Sequence, residues 1–338
     1  MLFHTHNSAD TAPCNDFPYS CKPDCSVYDH NRLPQKGETL DSSLIEFTIE
    51  FKTKRSQDPF RHGLDRNADT GKNNPLMVTE STGSETAGQV IAYTTLILST
   101  QYRTHTFSVL IINDYARLIR WDRGGAIVTE PIYYNDQSYL FDFLVRYDHA
   151  SNEARGHDPT VGPPADHEAQ AARTIKELSD ANSLLSVTIQ GSQPQGSRRF
   201  IIGTPCGQPD IPAGRWTRAS IAYDVQTGKR VLLKDSWRVL LEGIKPEGEV
   251  YALLRENAVP NIPYCSLAGD VGLKEYHQSQ TDKFADKYWQ HLSASQIVPH
   301  RHYRLVLDTI GRDLKEFRCT KEMVNAVYAS LVGTLIQC

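Results

Sequence analysis

Between Gly214 and Pro263 the chain has little freedom of local structure. Arg218–Asp224 alternates apolar and polar residues. Gln226-Thr227-Gly228 is turn chemistry, and Arg230–Lys234 is a β-branched and leucine run. Together they predict a strand, a tight turn and a second strand. A helix is expected from Pro246, which suits the first helical position, with Glu247 and Glu249 in the first turn, where the helix dipole favours acids. Val250, Leu253 and Leu254 share one predicted face of this helix. Pro260 and Pro263 stop it near Asn257. Lys234 is the odd residue in this segment. A lysine ending an apolar strand ordinarily lays its stem along the sheet and keeps its ammonium in water. Here the following helix offers Glu249 at its start, with Glu247 as the competitor. A strand lysine and a helix carboxylate are therefore expected to pair.

A lysine on the third strand of a sheet, paired with a glutamate on the next helix, is how protein kinases hold the α- and β-phosphates of ATP. The acid keeps the lysine charged and aimed once water is excluded. The phrases GRWTR, VLLKDSW and PEGEVYALLRENAVPNIP carry a wider likeness. So do QYRTHTFSVLIINDYARLIRWDRGGAIVTEPIYY upstream and HYRLVLDTIGRDLKEF downstream. Together they resemble the fungal-type protein kinase family, from roughly Pro23 to the C-terminus. The resemblance implies ATP and Mg²⁺ as cofactors and phosphoryl transfer to a protein, whose identity it does not give. By position, Gly214 and Lys234 would contact the phosphates. Leu307 would be the gatekeeper, and Asp308 to Ile310 would face adenine.

The departures from that pattern are as informative. The usual G-x-G-x-x-G loop is absent, with only Gly207, Gly214 and GRWTR in its place. No HRD and no DFG occurs in the 338 residues. The expectation is a kinase-like small lobe with a fragment of the large lobe, which binds ATP weakly and transfers no phosphoryl group. Met323, Val327, Leu331 and Leu335 recur at helical spacing in a final helix from Thr320, whose apolar face is expected to be uncovered.

A second constellation lies upstream. Pro23-Asp24 opens a short strand, and Ser43–Lys52 reads as a longer one containing Glu50-Phe51-Lys52. PD followed by E-x-K resembles the PD-(D/E)xK nuclease fold. Two carboxylates at adjacent strand ends, Asp24 and Glu50, would hold Mg²⁺. Lys52 shares a strand face with Glu50 and would orient the attacking water. The plain alternative is a solvated cross-strand pair. Two other function classes follow: a metal-dependent nucleic-acid-cleaving or nucleic-acid-binding module, and a non-catalytic interaction scaffold. Gly88-Gln89 opens a predicted helix from Val90 to Gln101. Strands follow at 106–112, 116–121 and 125–130. Asp122-Arg123 in RWDRGGA reads as a turn before Gly124-Gly125.

The length argues for about two domains. The predicted class is α+β: a polar, disordered tail over 1–20, a mixed α/β domain over 21–150, a linker and helix over 151–184, and a kinase-like domain over 185–338. Asp166–Asn182 reads as one helix. A net charge of −4 gives no support for broad nucleic-acid binding. There is no apolar run of membrane-spanning length, so no membrane partner is expected, and no secretory signal. Seven scattered cysteines suit a reducing compartment, cytosol or nucleus. Cys14, Cys21, Cys25 and His30 fit no common zinc spacing. His149, His157 and His167 read as surface residues.

Overall fold

Among the described residues, two sheets organise the chain, one of six strands and one of seven. The computed structural model describes residues 2–4, 21–33, 41–60, 81–190, 196–203, 205, 211–272, 277–285 and 297–335. The chain divides into two compact units. The first takes in Met1–Pro159, Pro209–Trp216 and Lys274–His300. The second takes in Thr160–Gln208, Thr217–Leu273 and Arg301–Cys338. The first unit thus includes two later segments that a contiguous division would assign to a domain over 185–338.

In the first unit the strands are β1 (Leu2–His4), β2 (Cys25–Tyr28), β3 (Ile45–Lys52), β4 (Thr106–Ile112), β5 (Tyr115–Asp122) and β6 (Gly125–Val128), hydrogen-bonded in that order. Only β3 and β4 run parallel. A parallel pair needs a crossover, and α1 (Ser81–Thr100) lies between the two strands in sequence. β3 is buried from Ile45 to Glu50, as a strand covered on both faces must be. Ile97 of α1 packs with Tyr28 and Ile45. Phe143, Leu144 and Tyr147 of α2 (Tyr139–His149) pack with Phe47, Ile49 and Val109.

Leu2–His4, within the stretch 1–20 read as a tail, is an edge strand antiparallel to β2. It supplies partners for main-chain groups that β2 would otherwise leave unpaired. Residues 5–20 of that predicted tail, Cys14 included, lie outside the described residues. α1 begins at Ser81, nine positions before the predicted start. The early turns are poor helix formers, but they bury Thr86 and Ala87, and packing overrides propensity. α2 was not anticipated, although Leu140, Phe143, Leu144 and Tyr147 follow helical spacing.

In the second unit the strands are β7 (Val161–Gly162), β8 (Leu185–Gln190), β9 (Ser197–Ile202), β10 (Arg218–Asp224), β11 (Arg230–Val239), β12 (Cys265–Asp270) and β13 (His300–Leu307). Their order is β12-β13-β11-β10-β9-β8-β7. The β8–β9, β9–β10, β10–β11 and β12–β13 pairs are antiparallel. The helices are α3 (Asp166–Ala172), α4 (Lys176–Ser179), α5 (Glu247–Glu256) and α6 (Thr320–Leu335). The single helix predicted over 166–182 is broken at Arg173–Ile175. Ala172, Leu178, Leu184 and Ile201 form one buried cluster, and Ile175 packs against it from the break. No helix among the described residues is long and apolar enough to cross a membrane.

Candidate functional site

Lys234 lies on β11, directly across from Ala219 of β10. Its Nζ donates to both carboxylate oxygens of Glu247, at 2.7 and 2.8 Å. Glu247, not Glu249, is therefore the partner, and Glu249 is exposed. The cause is one residue away. A Cβ placed on Gly248 would come within 2.4 Å of Ala268 Cβ and 2.6 Å of the Tyr303 hydroxyl. The Gly248 N–H donates to that hydroxyl at 2.9 Å. Gly248 thus lets the first turn of α5 press its backbone onto β12 and β13, which fixes the rotation of the helix. Glu247 and Tyr251, four residues apart, share the side toward the strands, and Glu249 points away. The predicted apolar face turns with it: Val250 and Leu253 are exposed, while Tyr251 and Leu254 are half-buried. Pro246 caps the helix rather than opening it, and its carbonyl accepts from Glu249 N and Val250 N. Burial, and secondarily Glu247, push the Tyr251 hydroxyl up from its ordinary value.

Lys234 and Glu247 side chains are 26% and 25% exposed. At that exposure the pair contributes on the order of 1 kcal/mol or less to stability. Its consequence is direction: two of the three ammonium protons are fixed by the carboxylate, so the third has a defined heading.

Leu307 is buried at the end of β13, in a cluster with Tyr303, Leu305 and the half-buried Tyr251, Cys265 and Ala268. Asp308 is exposed. Its N–H donates to Tyr264 O at 3.1 Å, and its Oδ1 accepts from Tyr264 N at 3.0 Å. That reciprocal pair closes the strand ends just before Ile310, which is half-buried. Burial first, then Glu247 among smaller causes, raises the Cys265 thiol above its ordinary range.

Gly214 and Lys234 fall in different units. Gly214 belongs to the first unit, where its N–H donates to Arg123 O at 2.8 Å. Gly207 lies outside the described residues. The Arg123 guanidinium stacks on the Trp216 ring, 3.8 Å from its centroid, and donates to Pro212 O and Arg103 O. The adjacent Asp122 accepts from Gly124 N (2.9 Å), Gln280 N (2.7 Å), Thr281 Oγ1 (2.7 Å) and Arg120 Nη1 (2.5 Å). The turn chemistry predicted for Asp122-Arg123 is present. The sequence signal that was available, an Asp-Arg pair before two glycines, carried no hint that it gathers segments some 90 and 160 residues downstream.

Asp24, Glu50 and Lys52 come together in the first unit. Lys52 Nζ donates to Glu50 Oε1 at 2.5 Å, and Asp24 N approaches Glu50 Oε2 at 3.4 Å. Phe51 N donates to Asp24 Oδ2 at 2.9 Å. Burial raises the Glu50 carboxyl, against the pull of Lys52, and the Asp24 charge adds to the rise. Tyr93 of α1 joins the cluster: burial and then the Glu50 charge raise its hydroxyl, which donates to Lys22 O. Sequence spacing did not reveal Tyr93, because it comes from the crossover helix. Cys21 and Cys25 are buried within apolar clusters. His157 is half-buried rather than exposed. Its Nε2 lies 3.0 Å from Glu46, which also meets Arg103 and the Tyr147 hydroxyl.

No curated protein and no solved structure matches the chain. A family model described as fungal protein kinase matches residues 76–334. Asp24, Glu50 and Lys52 precede the matched residues; Asp122, Arg123, Lys234 and Glu247 fall within them. The match takes in most of the chain, including parts of both units, and the chain therefore belongs to the fungal protein kinase family.

Proposed function

We propose that the second unit is a kinase-type small lobe in which Lys234, aimed by Glu247, holds the phosphates of ATP. The observation that carries this reading is the two-point bond between Lys234 and the first turn of the helix that follows its strand. That is the lysine–helix-glutamate arrangement a kinase requires. Bound Mg-ATP supplies the transferable phosphoryl group. Leu307 lines the adenine side in this reading, with the main chain of Asp308 to Ile310 at its edge. A kinase also needs an aspartate to accept the substrate proton and a second to hold metal. Their HRD and DFG signatures are not in these 338 residues. The 338 residues alone then bind nucleotide without transferring phosphoryl to a protein. With one lysine facing several negative charges in a hydrated site, the dissociation constant is expected on the order of 1 mM, about 4 kcal/mol of binding. Calorimetry at millimolar Mg-ATP tests this. Binding lost in Lys234→Met supports it; binding untouched by Lys234→Met, or phosphotransfer by the isolated chain, counts against it.

A second reading rests on a different observation, the convergence of Asp24, Glu50 and Lys52. The two carboxylates supply oxygen ligands of the kind Mg²⁺ or Mn²⁺ takes, and Lys52 sits where it can stabilise a phosphate. In this reading the first unit is a cation-dependent, nucleic-acid-binding module. A Mn²⁺ titration should saturate with the wild-type chain and not with Glu50→Gln or Asp24→Asn. A wild-type chain that takes up no Mn²⁺ ends the reading.

A further inference from the structure

The C-terminal turn of α5 builds part of a cavity. Asn257 ends the helix, Ala258 N–H donates to Arg255 O at 2.9 Å, and Val259 N–H donates to Leu254 O at 2.9 Å. That pair of bonds is the Schellman closure, which needs a left-handed residue just past the helix end. Ala258 supplies it at a φ of +51°, where glycine would carry no Cβ penalty. Val259, just beyond, is buried. Asn261 turns the chain again at a φ of +63°, and Pro263 leads it toward β12. Between α5, this loop and the start of β12 lies a cavity of about 720 Å³. Small-molecule sites occupy roughly 300–1,000 Å³. The whole lining belongs to the second unit.

The lining divides by chemistry. Its buried and half-buried part is apolar: Tyr251, Val259, Ile262 and Pro263, with the Cys265 thiol. Rings and a sulfur give an aromatic ligand offset-stacking and edge contacts that an aliphatic one would not make. The exposed part carries one charge of each sign, Arg255 and Glu256. The Arg255 guanidinium lies over the Tyr264 ring, 4.6 Å from its centroid, which orients it without using its N–H donors. Among the described residues neither Arg255 nor Glu256 forms a side-chain hydrogen bond or an ion pair. A simple acid would be repelled by Glu256 and a simple amine by Arg255. A zwitterion satisfies both.

We infer that this cavity is a binding site for an aromatic amino acid, with its ring among Tyr251, Val259 and Ile262, its carboxylate on Arg255 and its ammonium on Glu256. The site does not depend on the nucleotide reading of Lys234.

The experiment titrates the full chain with L-phenylalanine by calorimetry. It is repeated with phenylalaninamide, which lacks the carboxylate, with hydrocinnamate, which lacks the ammonium, and with L-alanine, which lacks the ring. L-phenylalanine should bind saturably and each of the others at least about tenfold more weakly, as expected for the loss of one charge-assisted hydrogen bond or of the ring. Arg255→Gln should erase the preference over phenylalaninamide, and Glu256→Gln the preference over hydrocinnamate. Both residues are exposed, so neither change endangers the fold. Ala252, exposed on α5, also lines the cavity, and Ala252→Trp should fill it and abolish binding. A merely apolar pocket would take phenylalaninamide and hydrocinnamate as well as the amino acid, and that result overturns the assignment. So does the absence of saturable L-phenylalanine binding at millimolar concentration, or binding that both charge variants leave unchanged.

Discussion

Gly248 decides which acid Lys234 meets. Any side chain at this position runs into Ala268 Cβ, which cannot move without its strand, and into the Tyr303 hydroxyl. Gly248→Ala should force α5 off β12 and β13, at about 1–3 kcal/mol as for other overpacked sites, and separate Lys234 from Glu247. Thermal unfolding reads the first effect. An alanine variant as stable as wild type would show that the helix does not rest on its glycine. This is also where the sequence was readable only in part. PEGEVYALL announces a helix with two acids in its first turn, and Lys234 stands out on its strand. Which acid pairs depends on helix rotation, which is set by a glycine pressed against residues on β12 and β13 that come later in the chain.

His105 gives a second residue-scale test. Its Nε2 lies 3.1 Å from Ala154 O and its Nδ1 3.0 Å from Thr104 Oγ1, so the neutral ring donates to the carbonyl and accepts from the hydroxyl. Burial, reinforced by Arg120, Arg103 and His157, holds its pKa well below the ordinary 6.5. Below that pH the unfolded chain binds a proton that the folded chain refuses, so stability falls as the pH drops. The slope approaches about 1.4 kcal/mol per pH unit for one such histidine. Urea unfolding between pH 7 and 5 should show a shallower pH dependence in His105→Gln than in wild type. Parallel curves would place the acid sensitivity elsewhere.

At the scale of elements, legibility followed how local the determinant was. β10, β11, α5 and the end of α5 near Asn257 follow from alternation, turn residues and prolines. The early start of α1 did not, because Thr86 and Ala87 are ordered by what they pack against, not by propensity. The break between α3 and α4 follows from packing of Ile175, again a tertiary cause. α6 carries the clearest element-scale consequence. Val324, Val327, Tyr328 and Leu331 are all exposed along it, and Asn261 Nδ2 reaches its Ala329 carbonyl. Exposed apolar residues gathered on one helix promote association. Sedimentation should therefore show concentration-dependent self-association of the chain, reversed in Val327→Glu/Leu331→Glu. A monomer at every concentration would mean that this face is not adhesive.

For the whole molecule, the decisive feature is that the first unit is not contiguous. It draws in 209–216 through Arg123 and 274–300 through Asp122. Composition and spacing place a linker near residues 151–184 but cannot report such returns, because each depends on a buried side chain meeting a segment far along the chain. A fragment of residues 1–159 leaves the buried Asp122 without Gln280 N and Thr281 Oγ1. Hydrogen bonds to a buried charge are worth about 1.5–3 kcal/mol each. The fragment should thus unfold at clearly lower denaturant than the same unit in the full chain, and equal midpoints would contradict this interleaving. At the same scale, the central claim is that Lys234 meets phosphate as one unit with Glu247. The most direct measurement is a double-mutant cycle on Mg-ATP affinity, read by ³¹P NMR, with Lys234→Met, Glu247→Gln and the double variant. If the glutamate acts by aiming the lysine, either single change should weaken binding about tenfold, and the double should lose no more than either. Losses that simply add, or full binding in Lys234→Met, would contradict it.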